Sequence, residues 1–161
     1  MTKRWMMIAT LLGCAATGAE AQTIPDYVDN RSDGASLIKS LYNAVNRREY
    51  ARAYSYFSGE KPAVDYQSFV AGYADTEKVE FVTGEIETEG AAGSAYSSVP
   101  VAIRATDTKG KQTVFAGCYI IRVVDPAIQE PPYHPLHIET ANLQQANGPL
   151  EAALPKACEA K

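Results

Sequence analysis

The spacing of apolar residues changes once along this chain, near Thr76, and this change restricts the fold more than any other feature. Before it, apolar residues recur at helical spacing, and after it they alternate with polar ones. The helical part contains two runs on either side of the polar residues 46–48: Leu37, Ile38, Leu41, Tyr42 and Val45, then Tyr50, Ala53, Tyr54 and Phe57. The sequence therefore predicts helices first and an antiparallel sheet second, which is an α+β order.

Short polar residues and glycine mark the helix ends. Ser32 or Asp33 can cap the first helix, because a short side-chain oxygen accepts a hydrogen bond from a free N–H of the first turn. Asp65 suits the same position for a third, short helix that extends to about Tyr73, with Gly72 at its end. Three helices are therefore predicted before the sheet.

Four strands are predicted after the helices. Their markers are Val79, Phe81 and Ile86, then Val99, Val101, Ile103 and Ala105, then the apolar run 112–124, and last Leu136, Ile138 and Ala141. Residues 107–110 form the turn between the second and third strands, and Gly117 marks a bulge or a close backbone approach. Residues 125–135 contain four prolines and are expected to form a stiff, extended loop.

A family resemblance supports this order of elements. Residues 41–54, LYNAVNRREYARAY, resemble the helix-turn-helix opening of the nuclear transport factor 2-like (NTF2-like, cystatin-like) superfamily, and segments 69–73 and 114–119 resemble parts of its small secreted bacterial members. The resemblance implies N-terminal helices packed on a curved antiparallel sheet, as a cone with a pocket between helices and sheet. Some members catalyse reactions in this pocket and others bind ligands or partners. None of the catalytic motifs maps onto this chain, so no catalytic residue is predicted.

The pattern of residues 1–21 is that of a secretory signal peptide. A positively charged start and an apolar run over 5–16 precede the small residues Ala19 and Ala21, the spacing that signal peptidase recognises. An apolar run of about a dozen residues is too short to cross a bilayer as a helix. The mature chain is therefore expected to begin at Gln22 and to work in the periplasm or outside the cell.

A second maturation route stays open. Residues 11–14, LLGC, resemble the lipobox of bacterial lipoproteins, in which the cysteine becomes the lipid-modified first residue. On this route Cys14 would anchor the protein to a membrane. On the first route no membrane contact is predicted.

Length and charge indicate one mildly acidic domain. Removal of residues 1–21 changes the formal net charge from −4 to −5, and no cluster of Lys and Arg marks a nucleic-acid or anionic-membrane surface. About 140 mature residues are enough for one domain with its own core. We expect a lead-in over 22–34, the α+β domain over 35–145 and a C-terminal tail over 146–161.

Cys118 and Cys158 are the two cysteines of the predicted mature chain. In an oxidising compartment such a pair favours a disulfide, which would fasten the tail to the domain. The alternative, a redox-active pair, lacks the Cys-x-x-Cys spacing and any feature that would lower a thiol pKa.

Tyrosines are the best candidates for a ligand pocket. The chain contains ten tyrosines against four phenylalanines and one tryptophan, and Tyr42, Tyr54, Tyr73 and Tyr119 lie in segments expected to approach the cavity. A tyrosine-lined pocket suits amphipathic ligands, because each ring offers apolar area and one hydroxyl. Alternatively, these rings are ordinary core and rim residues.

The histidines and glutamates give weaker signals. His134 and His137 should project to opposite sides of a strand, so they do not predict a metal site. His137 is kept as a pocket residue that could act as an acid or base, with Asp75, Glu139 or Arg122 as conceivable neighbours. Glutamates at 85, 87 and 89 are better explained by protection of a sheet edge than by a Ca²⁺ site. No metal or cofactor is predicted.

Three functions remain open from the sequence. The first is a non-catalytic extracytoplasmic protein that binds a small apolar ligand or a partner in the cell envelope, and it fits the leader, the cysteines and the missing catalytic motif best. The second is an isomerase, dehydratase or hydrolase that uses acid-base chemistry in the same pocket. The third is a structural envelope protein that forms a homodimer through its sheet face.

Overall fold

A computed structural model describes residues 23–158 of the chain. In this range four α-helices, one short 3-10 helix and five strands follow one another in the order α1 Gly34–Asn46, α2 Tyr50–Ser55, α3 Tyr66–Gly72, β1 Thr76–Thr83, β2 Glu87–Ala91, β3 Ser94–Asp107, β4 Gln112–Val124, the 3-10 helix Pro126–Ile128, β5 His137–Ala146 and α4 Leu150–Ala153. The predicted signal peptide, with Ala19, Ala21, Gln22 and Cys14, lies outside the described residues.

The α+β prediction is confirmed. The N-terminal helices pack on a curved antiparallel sheet in which β1, β3, β4 and β5 are neighbours in that order and β2 pairs with β3. This is the layered arrangement that the NTF2-like resemblance implied.

Side-chain caps start two of the helices where the sequence predicts them. The Asp33 carboxylate accepts a hydrogen bond from the Ser36 N–H at 2.8 Å, and the Asp65 carboxylate accepts one from the Ser68 N–H at 2.7 Å. The Ser36 N–H lowers the pKa of Asp33, because it stabilises the charged carboxylate. Asp33 rather than Ser32 is therefore the cap of α1.

The first predicted strand was wrong in extent. It was expected to include Ile86, but β1 ends at Thr83 and a separate strand, β2, begins at Glu87. Between them the Gly84 N–H donates to the Pro100 carbonyl, at the place where the chain changes from one half of β3 to the other. The long strand β3 thus pairs first with β2 and then with β1 along its length. The alternation of apolar and polar residues in the sequence does not show where β1 ends and β2 begins.

Three further elements differ from the prediction. Strands β3 and β5 extend beyond their apolar markers into polar ends, because antiparallel pairing with β4 continues there. The proline-rich loop contains a short helix at its start, where the Asp125 side chain accepts a hydrogen bond from the Ala127 N–H. Strand β4 has the predicted bounds 112–124.

Helices α1 and α2 cover one face of the sheet and form the core with it. Buried residues of α1 meet buried residues of β3, β4 and β5, and the cluster includes Leu37, Ile38, Leu41, Val99, Val101, Ile121 and Ile138. A Cβ atom at Gly34 would come within 2.9 Å of the Val99 side chain, so α1 lies close against the sheet at its start. We call this the helix face of the sheet.

The C-terminal tail covers part of the opposite face. Pro100 and Ala102, which alternate with the core residues of β3, are fully buried, and α4 packs over β1, β3 and β4 with Leu150 buried. The predicted disulfide joins Cys118 of β4 to Cys158 of the tail, with a Cα–Cα distance of 5.8 Å. The tail is therefore part of the fold and shields apolar residues of the sheet.

Gly117 marks a close approach of two strands. A Cβ atom there would lie 1.8 Å from the Asn142 carbonyl oxygen of β5, so any larger residue would force the strands apart. The irregular pairing between β4 and β5 falls between Ile120 and Ile121 instead. Of the two predicted explanations, the close approach is the one that the structure shows.

Hydrogen bonds hold the lead-in to the helices. Arg52 of α2 donates to the Val28 carbonyl at 2.7 Å and to the Asn43 side chain at 2.9 Å, and its guanidinium stacks over the Tyr27 ring. The Tyr56 hydroxyl donates to the Asp29 carboxylate at 2.9 Å. These contacts fix the polar segment before α1 on the outside of the helices.

We predict that the disulfide stabilises the fold. The variant Cys118→Ser/Cys158→Ser should lose about 2–4 kcal/mol of unfolding free energy, because the denatured chain regains the freedom of a long loop and the tail leaves the sheet. Urea denaturation of the mature protein measures this loss, and wild type treated with a thiol reductant is the matched comparison. An unchanged midpoint, or two reactive thiols in the unreduced wild type, would contradict the prediction.

Candidate functional site

A cleft between α3 and the helix face of the sheet is the best candidate for a functional site. It has a volume of about 470 Å³, which is within the usual range for small-molecule pockets. Its lining consists of Pro62, Ala63, Ser68, Phe69, Gly72, Tyr73, Asp75, Thr76, Val79, Ile103, Ala105, Thr106, Asp107, Lys111, Thr113, Phe115 and Leu143. Four strands and one helix therefore contribute to it.

The polarity of the cleft changes from its base to its rim. Phe69 and Val79 are buried at the base, whereas Asp75 and Lys111 are exposed at the rim. Most lining residues that come from the strands are apolar or carry a single hydroxyl. The cleft can therefore surround an apolar molecule while leaving a polar group of that molecule near water.

The turn between β3 and β4 forms one wall of the cleft. The Asp107 carboxylate accepts hydrogen bonds from the Lys109 and Lys111 N–H groups at 2.8 and 2.9 Å, and these N–H groups lower the pKa of Asp107. The Thr108 N–H donates to the Asp75 carbonyl at 2.9 Å and so ties the turn to the connection between α3 and β1. The wall is thus held by hydrogen bonds within the turn and by one hydrogen bond to Asp75.

Aromatic rings form the wall on the side of α3. The Phe69 and Tyr73 rings meet edge to face at 5.1 Å between centroids, and Tyr50 stacks on Tyr73 at 6.0 Å. Tyr54 packs against the other side of Phe69 at 5.3 Å and does not line the cleft. These contacts hold Tyr73 in place with its neighbours in α2 and α3.

Tyr42 and Tyr119 lie in the core and not in the cleft lining. Their hydroxyls form a hydrogen bond of 2.7 Å between α1 and β4, and both rings are buried. Burial raises the pKa of each hydroxyl, because the charged phenolate would lose its hydration. Of the four tyrosines predicted for a pocket, Tyr73 alone lines this cleft.

His137 belongs to a polar row on the opposite face of the sheet. It pairs in register with Arg122 of β4, and Arg122 in turn pairs with Tyr96 of β3 and lies over its ring. The two ring nitrogens of His137 lie 2.9 Å from the Pro135 carbonyl oxygen and 3.1 Å from the Glu139 carboxylate.

Two of the three neighbours that the sequence suggested for His137, Arg122 and Glu139, are therefore close to it. Asp75 lies instead at the rim of the cleft. His137 is not among the cleft residues, and neither is His134, which is exposed.

Glu87 and Glu89 lie in β2, an exposed edge strand, as their alternation indicated. Among residues 23–158, no group of three or more metal-ligating side chains could hold a metal ion.

A larger cavity of about 660 Å³ lies between the lead-in and the end of α1. Residues 23–25 form one of its walls, and these are the first residues that the structure describes. Charged side chains dominate the rest, with Arg47, Arg48, Glu77 and Lys78 around it. The cleft beneath α3 is built entirely from the α+β domain, so we assign the candidate site to it.

Comparisons with known proteins give one structural likeness. No protein-family model matches the chain, and no curated protein matches it. A crystal structure of a provisionally assigned aromatic ring hydroxylase from Novosphingobium aromaticivorans is similar over 70% of this chain and 90% of that one, with 14% identity and a TM-score of 0.48. A likeness at this level transfers neither an activity nor a site to this chain.

We predict that the two buried tyrosine hydroxyls act as a pair. Tyr42→Phe or Tyr119→Phe alone should cost about 1–3 kcal/mol of unfolding free energy, because each leaves one buried hydroxyl without its partner. The double variant should cost less than the sum of the two single changes. A double-mutant cycle by urea denaturation measures this coupling, and strictly additive losses would show that the hydrogen bond contributes nothing.

We predict that His137 stabilises the fold and takes no part in the cleft. His137→Ala should lower the unfolding free energy by about 1–3 kcal/mol, because it removes two hydrogen bonds at a residue that is only 6% exposed. Thermal or urea denaturation measures this loss. Any binding in the cleft should be unchanged in folded His137→Ala protein, and a loss of binding there would contradict the assignment.

Proposed function

We propose that the protein works outside the cytoplasm and binds a small, mostly apolar molecule in the cleft beneath α3. The observation that carries the proposal is an apolar base, with Phe69, Val79 and Ile103, in a cleft that stays open to water at a polar rim. Covering apolar surface is favourable by about 25 cal/mol per Å². A ligand that removes about 200 Å² of it from water would thus gain roughly 5 kcal/mol before the costs of association.

The cleft favours binding over acid-base catalysis. The catalytic alternative requires a buried carboxylate or His137 beside a tyrosine in the same pocket. His137 is on the other face of the sheet, the Asp107 carboxylate is held by backbone N–H groups, and Asp75 is exposed at the rim. The described lining therefore supports recognition of a ligand more than proton transfer to it.

The tail makes a homodimer through the sheet face a weaker alternative. That face is partly occupied by α4 and by the disulfide-linked segment, which bury Pro100 and Ala102. A second copy could use only the part that the tail leaves open. A dimer or an envelope partner is therefore an outcome of the tests below and not the proposal.

Two features support the proposed location. The chain begins with the pattern of a signal peptide, and the disulfide between Cys118 and Cys158 fits an oxidising compartment. Within residues 23–158, no helix is both long and apolar enough to cross a membrane. Soluble export and lipid anchoring at Cys14 predict different masses for the mature protein, so mass spectrometry separates them.

Filling the cleft should weaken binding of an apolar probe. Gly72 lies at the cleft and a Cβ atom there would meet no neighbour within 4 Å, so Gly72→Trp can be accommodated without a backbone clash. The probe is the neutral dye N-phenyl-1-naphthylamine, followed by its fluorescence. We expect at least a tenfold weaker affinity in Gly72→Trp, because the indole competes for the apolar surface.

The matched control is Gly90→Trp. Gly90 also has open space around its Cβ position, but it lies in the edge strand β2, away from the cleft. Binding should match wild type in this variant. Equal binding in all three proteins, or no binding in wild type, would contradict the proposal.

Native mass spectrometry of mature protein from its own cell envelope tests the same proposal without a chosen probe. A small molecule retained at fixed stoichiometry, and lost in Gly72→Trp, is the expected result. An empty dimer or a complex with an envelope protein would favour the alternatives instead.

A further inference from the structure

The hydroxyl of Tyr73 is a polar group of the cleft lining that has no hydrogen-bond partner among the described residues. Tyr73 is half-buried at the end of α3, and its hydroxyl makes no hydrogen bond with any described residue. No fully buried side-chain nitrogen or oxygen in the described region lacks a partner, so this hydroxyl is not fully buried, and Tyr73 lines the cleft. A group in the cleft can therefore meet it directly.

The neighbours of Tyr73 give its hydroxyl no hydrogen bond. Phe69 and Tyr50 contact its ring, and the hydroxyls of Tyr42 and Tyr119 are bonded to each other at 2.7 Å. Tyrosine hydroxyls in buried positions usually find a hydrogen-bond partner. A dry ligand in this cleft would remove water from the Tyr73 hydroxyl, so it would have to supply a partner itself.

The hydroxyl is held as a neutral donor. Burial raises the pKa of Tyr73 to about 12, since the surrounding rings give a phenolate no compensation for lost hydration. The hydroxyl therefore keeps its proton at neutral pH. A negatively charged ligand group would pay the same cost of lost hydration among these rings.

We infer that the ligand of the cleft is an uncharged molecule with one oxygen acceptor, which receives a hydrogen bond from the Tyr73 hydroxyl. This inference rests on the proposed function and specifies its ligand class. The apolar body lies on Phe69 and Ile103, and the oxygen faces α3. The Tyr73 hydroxyl thus fixes the orientation, while the apolar contacts supply most of the affinity.

Two probes of the same shape test the inference. 2-Acetylnaphthalene carries a carbonyl oxygen, and 2-isopropenylnaphthalene replaces that oxygen with a CH₂ group. Wild type should bind the ketone about tenfold more tightly, which is the size expected of one net hydrogen bond plus the cost of leaving the hydroxyl without a partner. Affinities are measured by displacement of N-phenyl-1-naphthylamine.

Tyr73→Phe removes only the hydroxyl and should abolish this preference. The affinity for the hydrocarbon should stay within about twofold of wild type, because the ring remains in contact with Phe69 and Tyr50. The matched control is Tyr66→Phe, which removes a hydroxyl from the exposed start of the same helix and should keep the tenfold preference.

The outcomes separate this inference from the proposed function. Equal binding of both probes to wild type, or a ketone preference that survives Tyr73→Phe, would overturn the role of Tyr73 and leave a binding cleft. Failure of both probes to displace the dye, together with failure of the dye to bind wild type, would overturn the proposed function itself. Circular dichroism and urea denaturation confirm that the variants are folded.

Discussion

The middle of strand β3, residues 99–102, is buried on both faces, and the rest of the structure follows from this constraint. Val99 and Val101 point to the helices, while Pro100 and Ala102, which alternate with them, are equally buried on the other face. A sheet with two apolar faces needs a cover on each side. The helices supply one cover and the disulfide-linked tail supplies the other. Strands β3 and β4 pair over thirteen residues, and the helices and the tail pack on opposite faces of this pair.

The cleft exists because α3 is too short to cover the helix face completely. Helix α1 has thirteen residues and seals the centre, whereas α3 has seven and leaves the ends of β1, β3 and β4 open beneath it. The turn at Asp107 closes the open end with a hydrogen-bonded wall. A pocket is therefore a consequence of the lengths of the elements, and the side chains that happen to face it decide what it can bind. In the proposed function, Tyr73 is the residue that gives the ligand a directed hydrogen bond.

Local signals in the sequence predicted an element well where its bounds depend on nearby residues alone, such as a capping side chain or a continuous apolar run. Asp65 and Gly72 bound α3 as expected, and the apolar run 112–124 is strand β4. The prediction failed at β2. Strands β1 and β2 both pair with β3, and the local pattern of residues does not show which distant strand a segment pairs with. For the site, the tyrosine bias predicted a tyrosine-lined pocket, and one of the four predicted tyrosines lines the candidate cleft. That residue is Tyr73, while the hydroxyls of Tyr42 and Tyr119 form a hydrogen bond with each other in the core.

The sequence by itself determined the order of helices and strands and the two cysteines that form the disulfide. These follow from spacing and composition along the chain, which are local properties. The tertiary structure decided which face each residue occupies. It placed His137 beside Arg122 on the face opposite the helices, and it laid the tail over Pro100. Such contacts join residues far apart in sequence, and they depend on strand register and helix length, which no single segment specifies.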